Sequence, residues 1–413
     1  MDSEVPTCLG TVLKETTDLN DSIRRRQLIA VALGVSVLAA ACTGQSPTPA
    51  PSVAGSGGSA APSAAAMDLT QVPPKPDYSG AITADGATFP QPVYEQWTQD
   101  YATETGIQIS YTGGGSGQGV KDFTANTVQF AGSDAPLKDD EKALAESQNG
   151  SPALHIPTVF GAIVMAYNLS GVSKPVNFSP DVIGKIFTGK ITNWNDPGLA
   201  ADNAGVTFPN LAITVAHRSD GSGTTNAFTK WLCKVSADWK AAVDPCSGKE
   251  VTWPVGLGGK GNPGVTSTIT TTPGALGYIE LAYAMQNNVP YGNVQNKSGQ
   301  WITPSLESVA AAATFDTIPD SLTFDVSDSA VADAYPIVTA TWILVYQQQD
   351  KVNPDEKQAQ AVVHFLIWAL DKGGDAANTL GYATLPDALR QAALERIATI
   401  TYNGTPIVDA LYK

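Results

Sequence analysis

A loop of small and polar residues at positions 217–224 constrains the fold of this chain more than any other feature. An alternating apolar segment at 211–216 precedes the loop, which is typical of a β-strand, and apolar residues at helical spacing follow it. Gly221 and Gly223 let the backbone turn tightly and approach a ligand. The sequence therefore predicts a strand, a tight loop and a helix start, a geometry that suits an oxyanion.

The side chains of this loop favour the same chemistry. Arg218 supplies a planar guanidinium that binds two oxygens at once, and Asp220 is close enough in sequence to hold it in place. The hydroxyl and N–H groups of Ser222, Gly223 and Thr224 converge at the predicted helix N-terminus. For this loop taken alone, an ordinary capped turn is the alternative interpretation.

Three further predicted strands are each followed, like the strand before residue 217, by a loop that carries a polar side chain. Thr88 precedes a helix, Ser116 lies in a glycine-rich loop, and Asp134 follows a strand directly. A helix cap or a solvated loop is the alternative at Thr88 and Asp134. Because a carboxylate repels an anion unless the ligand carries a proton, Asp134 indicates a protonated oxyanion as the ligand.

The N-terminal region has the pattern of an exported protein. Residues 1–42 are predicted to be an export signal, since an arginine cluster precedes a short apolar run that ends in small residues before Cys42. Cys42 is the candidate for lipidation, although Ala39 stands where a lipobox usually has Leu. Residues 43–79 are predicted to be a flexible tether, rich in Gly, Ser, Ala and Pro as far as about residue 66. A spacer with no function of its own is the alternative.

Charge and cysteine content limit the classes of function. The 413-residue chain has a formal net charge of -15, which argues against nucleic acid or an anionic membrane surface as a partner. Cys233 and Cys246 are expected to form a disulfide in an oxidising compartment, with free thiols as the alternative. The three histidines are far apart in sequence, so no metal site is expected, and nothing indicates a cofactor.

Five segments of the chain together carry a resemblance to a known family. They are Ala87-Thr88-Phe89-Pro90, Gly115-Ser116-Gly117, Ser133-Asp134-Ala135-Pro136-Leu137, Arg218-Ser219-Asp220-Gly221-Ser222-Gly223-Thr224 and Gly256-Leu257-Gly258-Gly259-Lys260-Gly261. In this order they resemble the substrate-binding protein of high-affinity phosphate ABC transporters, in its lipoprotein form. The resemblance covers about residues 80 to 413.

The resemblance implies a fold and its division into domains. The expected fold is α/β, a two-lobed periplasmic binding protein of the type II kind. Each lobe has a central mixed β-sheet flanked by helices, and two crossing strands form the hinge. Lobe I is expected to comprise residues 80–160 and 337–413, and lobe II residues 161–336.

The resemblance also implies a site and a function. The residues expected to bind phosphate in the cleft are Thr88, Phe89 through its N–H, Ser116, Asp134, Arg218, Ser222, Gly223 through its N–H, and Thr224, with Asp220 orienting Arg218. The protein is expected to be a lipid-anchored monomer on the outer face of the cytoplasmic membrane that delivers phosphate to permease subunits and is not an enzyme. The alternatives are an exported phosphate-ester hydrolase and a binding protein for another oxyanion.

Overall fold

The computed structural model describes residues 68–413. The predicted export signal, Cys42 and the tether as far as residue 67 lie outside the described residues. The strands are β1 (Ala81–Gly86), β2 (Gln108–Thr112), β3 (Phe130–Ser133), β4 (Ala153–Tyr167), β5 (Asn177–Phe178), β6 (Thr214–Arg218), β7 (Leu257–Gly259), β8 (Ala275–Glu280), β9 (Asn293–Gln295), β10 (Trp301–Ile302), β11 (Val338–Tyr346), β12 (Ala383–Thr384), β13 (Thr401–Tyr402) and β14 (Thr405–Pro406).

Helices lie between most of these strands. They are α1 (Gln91–Thr105), α2 (Ser116–Thr124), α3 (Asp139–Asn149), α4 (Pro180–Phe187), α5 (Pro197–Asp202), α6 (Gly223–Val235), α7 (Ala237–Ala242), α8 (Gly261–Thr271), α9 (Leu281–Gln286), α10 (Leu306–Ala312), α11 (Glu356–Asp371), α12 (Gly374–Thr379), α13 (Asp387–Ala398) and α14 (Val408–Leu411).

The long strand β4 connects the two halves of the central sheet. The strand order is β2-β1-β3-β11-β4-β8-β6-β7, with β12 pairing on β4. The first part of β4 pairs with β11 as far as Ala162, and from Ile163 onward β4 pairs with β8 instead. We refer to the part of the sheet with β1, β2, β3 and β11 as lobe I, and to the part with β6, β7 and β8 as lobe II. The fold is therefore α/β with two lobes.

The two connecting strands are buried along their whole length. Every residue of β4 and of β11 is buried, as expected for nearly continuous apolar segments covered on both faces. The chain passes from lobe I into lobe II along β4 and returns along β11, and the two strands pair antiparallel from Val338↔Ala162 to Tyr346↔Ala153. Parallel strands on either side of this pair place the loops after β1, β3 and β6 at the lobe interface.

Residues 68–79 fall in the tether predicted from the sequence, but the structure places them against lobe I. Pro73 and Pro76 are buried, and the Pro73 carbonyl accepts a hydrogen bond from Nε2 of His364 at 3.0 Å. The same histidine then accepts from the Tyr101 hydroxyl through Nδ1, at 2.9 Å. Leu69, Val72 and Tyr78 in this segment pack against the hydrophobic core, which composition alone does not reveal. No helix in the part of the chain that the structure describes is long and apolar enough to span a lipid bilayer.

Candidate oxyanion-binding site

The loops predicted from the sequence meet at the interface between the lobes. Thr88 follows β1, Ser116 begins α2 and Asp134 directly follows β3, all in lobe I. Arg218 ends β6 and Thr224 lies in the first turn of α6, both in lobe II. Each of these side chains is at most 3% exposed. The structure thus brings together polar groups that are far apart in sequence.

Arg218 belongs to the strand rather than to the loop that follows. The sequence pattern predicts a loop from residue 217, whereas β6 continues through His217 and Arg218 because both pair with β7, opposite Gly258 and Gly259. This pairing fixes the backbone of Arg218 and directs its side chain toward the loop residues of α6.

Asp220 holds the guanidinium of Arg218 in one orientation. Nε donates to Oδ1 at 2.8 Å and Nη2 donates to Oδ2 at 2.5 Å, while Nη1 lies 3.4 Å from the Thr224 hydroxyl. Burial opposes ionisation of Asp220, but the hydrogen bonds and charge of Arg218 outweigh burial and lower the pKa of this carboxyl. The pair is therefore ionised, and Nη1 and the second proton of Nη2 remain for other groups.

Ser116 connects the two lobes through its hydroxyl. Its oxygen accepts from the backbone N–H of Gly223 at 3.0 Å and from that of Asp134 at 3.2 Å. A serine hydroxyl has two acceptor positions and one proton, so both acceptor positions are occupied and only the proton remains to be placed. Its nearest acceptor is Oδ2 of Asp134, at 3.3 Å.

Ser222 and Thr224 lie at the start of helix α6. Ser222 is the N-cap, since its hydroxyl accepts from the N–H of Thr225 at 3.0 Å. Its own N–H donates to the carbonyl of Lys249 at 2.9 Å. The first turn of α6 therefore presents the backbone N–H groups of Gly223 and Thr224, with the partial positive charge of a helix N-terminus, to the interface.

Asp134 is a carboxyl group in a dry environment. It is 2% exposed, and its Oδ1 accepts from the Thr341 hydroxyl of β11 at 2.8 Å. Burial raises the pKa of Asp134 to about 7, because the hydrogen bonds from Thr341 and Ser116 and the charge of Arg218 only partly offset the loss of hydration. A carboxyl with this pKa exchanges a proton near neutral pH.

Two glycines allow the lobes to approach each other closely. A Cβ on Gly223 would lie 2.5 Å from the Ser116 hydroxyl and 2.6 Å from Oδ2 of Asp134. Gly115 has a φ of 95°, and a Cβ there would collide with the Asp220 carboxylate. The N–H of Gly117 also donates to the carbonyl of Gly221 at 2.7 Å, so the lobes are in direct contact around the site.

Phe89 lies beside Thr88 at the start of α1. Its side chain is fully buried, and its carbonyl accepts from the Tyr382 hydroxyl at 2.7 Å. Its ring packs edge-on against the ring of Tyr382, with centroids 6.2 Å apart. These contacts fix the backbone of Phe89 where the chain turns from Thr88 into the helix.

Two polar residues of the site are absent from the set predicted from the sequence. Thr341 lies in a mostly apolar strand that also contains Thr339, so its hydroxyl is a weak signal. Asn262 follows the glycine-rich segment at 256–261, and its side chain contacts both Thr88 and Thr224. The signal for Asn262 was its place directly after a glycine-rich segment, where α8 begins at Gly261.

Cys233 and Cys246 are joined by a disulfide outside the site, with their Cα atoms 5.9 Å apart. The bond connects α6 to the segment that contains Lys249. The ammonium of Lys249 contacts Glu141 of lobe I at 2.5 Å, and its carbonyl accepts the Ser222 N–H described above. The disulfide therefore supports a segment that contacts both lobe I and the start of α6.

Comparisons with known proteins agree with this architecture. A model of the PBP superfamily domain matches residues 53–369. The phosphate-binding protein PstS of Pasteurella multocida is 38% identical over 313 residues, which cover 75% of this chain and 88% of the relative. PstS of Haemophilus influenzae is 40% identical over 312 residues, covering 75% of this chain and 90% of that protein.

Solved structures show the same fold. A high-affinity periplasmic phosphate-binding protein (PfluDING) bound with phosphate aligns with a TM-score of 0.64 and 22% identity, covering 79% of this chain and 96% of the other. A phosphate-binding protein from Stenotrophomonas maltophilia aligns with a TM-score of 0.59 and 23% identity, over 79% and 96% of the two chains. By its sequence identity to these PstS proteins and by the matching superfamily model, the chain belongs to the PstS phosphate-binding protein family.

Proposed function

We propose that this protein binds inorganic phosphate between its lobes and delivers it to an ABC permease. The observation that carries this function is a buried set of hydrogen-bond donors from both lobes arranged around one carboxyl group, that of Asp134. The groups proposed to contact phosphate are Thr88, the Phe89 N–H, Ser116, Asp134, Arg218, Ser222, the Gly223 N–H and Thr224, with Asp220 as support. The Gly223 N–H would exchange its bond to the Ser116 hydroxyl for one to the anion.

Neutral donors supply most of the attraction for the anion. Hydroxyls and helix N-terminal N–H groups carry partial charges that are fixed by the fold, so they stabilise an anion without a large net charge. The only cationic side chain among the proposed contacts, Arg218, is already paired with Asp220. An acidic protein therefore holds a doubly charged anion through local dipoles rather than through its overall field.

Asp134 supplies selectivity. Phosphate carries at least one proton at neutral pH and can donate it to a carboxylate, whereas sulfate has none. Since Asp134 is 2% exposed, a carboxylate facing an unprotonated oxyanion would leave two charges buried without a hydrogen bond between them. The site therefore favours an anion that shares one proton with Asp134.

A titration of the anion-free protein tests phosphate binding. The protein is unfolded, refolded to remove bound anion, and titrated with phosphate and with sulfate in a calorimeter. Tight, saturable heat with phosphate and none with sulfate at the same concentration is expected. Equal binding of both anions would reduce the site to a general oxyanion site, and no heat with phosphate would contradict the proposed function.

The hinge supports delivery of the ligand. We propose lobe I as residues 80–160 with 337–413 and lobe II as 161–336, because β4 changes its pairing partner close to these boundaries. Rotation about β4 and β11 would open the contacts around Ser116 and release the ligand. Cells that lack the protein are expected to lose high-affinity uptake of labelled phosphate and to regain it with the wild-type gene only.

Cys42 is proposed as the attachment point of a lipid anchor. The anchor would hold the protein at the outer face of the cytoplasmic membrane, with residues 43–67 as the tether. The support is the short apolar run and small residues before Cys42 in the sequence. Cys42→Ala is expected to release the protein into the soluble fraction. Retention of this variant in the membrane fraction would contradict the anchor.

A further inference from the structure

Asn262 is a fully buried amide at the start of α8, between the two lobes. Its carbonyl oxygen accepts from the backbone N–H of Glu280 at 3.0 Å. Because a backbone N–H can only donate, this contact identifies the carbonyl side of the amide and leaves the NH2 group on the opposite side. The orientation of the Asn262 side chain is therefore fixed by β8.

The NH2 group of Asn262 donates to two hydroxyls of the site. Nδ2 lies 3.1 Å from the Thr88 hydroxyl of lobe I and 3.3 Å from the Thr224 hydroxyl of lobe II. An amide NH2 has two protons, so it can serve both contacts at once. One side chain thus bridges two residues proposed to contact the anion, one from each lobe.

These contacts fill the acceptor positions of both hydroxyls. The Thr88 oxygen accepts from Nδ2 of Asn262 and from the Asn262 backbone N–H, the latter at 3.0 Å. The Thr224 oxygen accepts from Nδ2 of Asn262 and faces Nη1 of Arg218. Because two donors already face each oxygen, neither hydroxyl can accept a further hydrogen bond from a ligand. Each hydroxyl can interact with a ligand only by donating its own proton.

On the basis that the cleft binds phosphate as proposed above, we propose that Asn262 is a positioning residue that makes Thr88 and Thr224 obligate donors to the anion. The amide never touches the ligand. When the lobes close, it fixes the direction of the two hydroxyl protons, so that both point toward the anion. It also connects the lobes through the same pair of hydroxyls, which favours the closed arrangement.

A double-mutant cycle tests this role, with phosphate affinity measured by calorimetry. Asn262→Ala is expected to weaken phosphate binding about 10- to 100-fold, because two donors to a charged ligand lose their orientation. In a protein that already carries Thr88→Val and Thr224→Val, the same substitution is expected to cost less than about threefold. If Asn262 had only a structural role, Asn262→Ala would cost the same affinity in both proteins, so that its effect and that of the two valine substitutions would be additive. Additive losses would overturn the inference.

Asn296→Ala is the matched control. Asn296 is also a buried asparagine of lobe II, and its amide donates to the backbone carbonyls of Ala332 and Ala334, away from the site. This substitution is expected to lower the melting temperature and to leave phosphate affinity within about twofold of wild type. An equal loss of affinity in Asn296→Ala and Asn262→Ala would overturn the inference, since general destabilisation would then explain both.

Asn262→Asp provides a second variant in case the alanine protein does not fold. Aspartate keeps the shape and the acceptor for the Glu280 N–H but cannot donate to the hydroxyls. Loss of phosphate binding in a folded Asn262→Asp protein supports the inference, and wild-type affinity overturns it. If the wild-type protein itself does not bind phosphate, both the proposed function and this role of Asn262 are rejected. If wild type binds phosphate but the losses in the double-mutant cycle are additive, only the role of Asn262 is rejected.

Discussion

Arg218 and Asp220 form an ion pair through two hydrogen bonds, of 2.8 Å from Nε and 2.5 Å from Nη2. Because these two residues are only two positions apart, strand β6 and the turn after it are sufficient to build the pair. Asp220 also accepts from the N–H of Gly261 at 2.9 Å, which connects the pair to the start of α8. The cationic group of the site is therefore neutralised before any anion arrives.

Because Asp220 already neutralises Arg218, the affinity for phosphate is expected to depend only weakly on salt concentration. Asp220→Asn would leave Arg218 with an uncompensated charge, so the affinity of this variant is expected to fall more steeply between about 0.05 and 0.5 M salt than that of wild type. Calorimetric titrations at several concentrations of sodium chloride measure both slopes. A steep salt dependence in the wild-type protein would contradict the view that neutral donors dominate.

Sulfate binding is expected to depend on pH. Burial raises the pKa of Asp134 to about 7, and a protonated Asp134 can donate to an anion that has no proton of its own. The protonated fraction, and with it the weak sulfate affinity, should rise about tenfold from pH 8 to pH 6. Competition between labelled phosphate and sulfate across this range measures the effect, which Asp134→Asn should abolish. A sulfate affinity independent of pH in the wild-type protein would be inconsistent with titration of Asp134.

Glu280 is expected to make the folded protein less stable as pH rises. Burial raises the pKa of this fully buried carboxyl well above its ordinary value, and its Oε1 has no hydrogen-bond partner among residues 68–413. The folded protein thus retains a proton that the unfolded chain releases above about pH 4.3, so the free energy of unfolding falls by up to about 1.4 kcal/mol per pH unit until the raised pKa is reached.

Glu280→Gln should remove the contribution of Glu280 to this dependence, while that of Asp134, whose pKa burial also raises, remains. Denaturant unfolding of both proteins without phosphate, at pH 5 and pH 8, is expected to show a smaller decrease in the variant. Glu395→Gln, on the exposed side of α13, serves as the control and should behave like wild type. If Glu280→Gln lost as much stability as wild type between these pH values, Glu280 would not hold a proton in the folded state.

Gly223→Ala is expected to weaken phosphate binding by at least about tenfold, because the added Cβ would occupy space next to Ser116 and Asp134 and keep the lobes apart. Gly374→Ala is the control, since a Cβ there would meet only the Thr384 methyl group, at 3.4 Å. Both variants are purified and titrated with phosphate. Wild-type affinity in Gly223→Ala would show that close approach of the lobes at this position is not required.

The sequence was sufficient for the strand, loop and helix units, because each depends on local spacing. The nearly continuous apolar run at residues 153–169 predicts a buried strand, and β4 occupies Ala153–Tyr167. The glycine and hydroxyl pattern around Ser222 likewise predicts a helix start, and Ser222 caps α6.

Contacts between distant segments could not be predicted in this way. Thr341 reaches Asp134 only because β11 pairs with β3 in a register that places Trp342 opposite Ser133. Asn262 reaches Thr88 only when the lobes are together. Such contacts depend on strand register and lobe orientation, which leave no periodic signal in the local sequence.

The ratio of phosphate to sulfate affinity, measured by calorimetry at pH 8 in wild type and in Asp134→Asn, tests the central claim most directly. We expect wild type to prefer phosphate by at least about 1,000-fold, since an unpaired buried charge costs several kcal/mol. In Asp134→Asn the ratio should fall by about 100-fold or more, mainly through stronger sulfate binding. An unchanged ratio would contradict the account, because discrimination would then arise without the carboxyl group of Asp134.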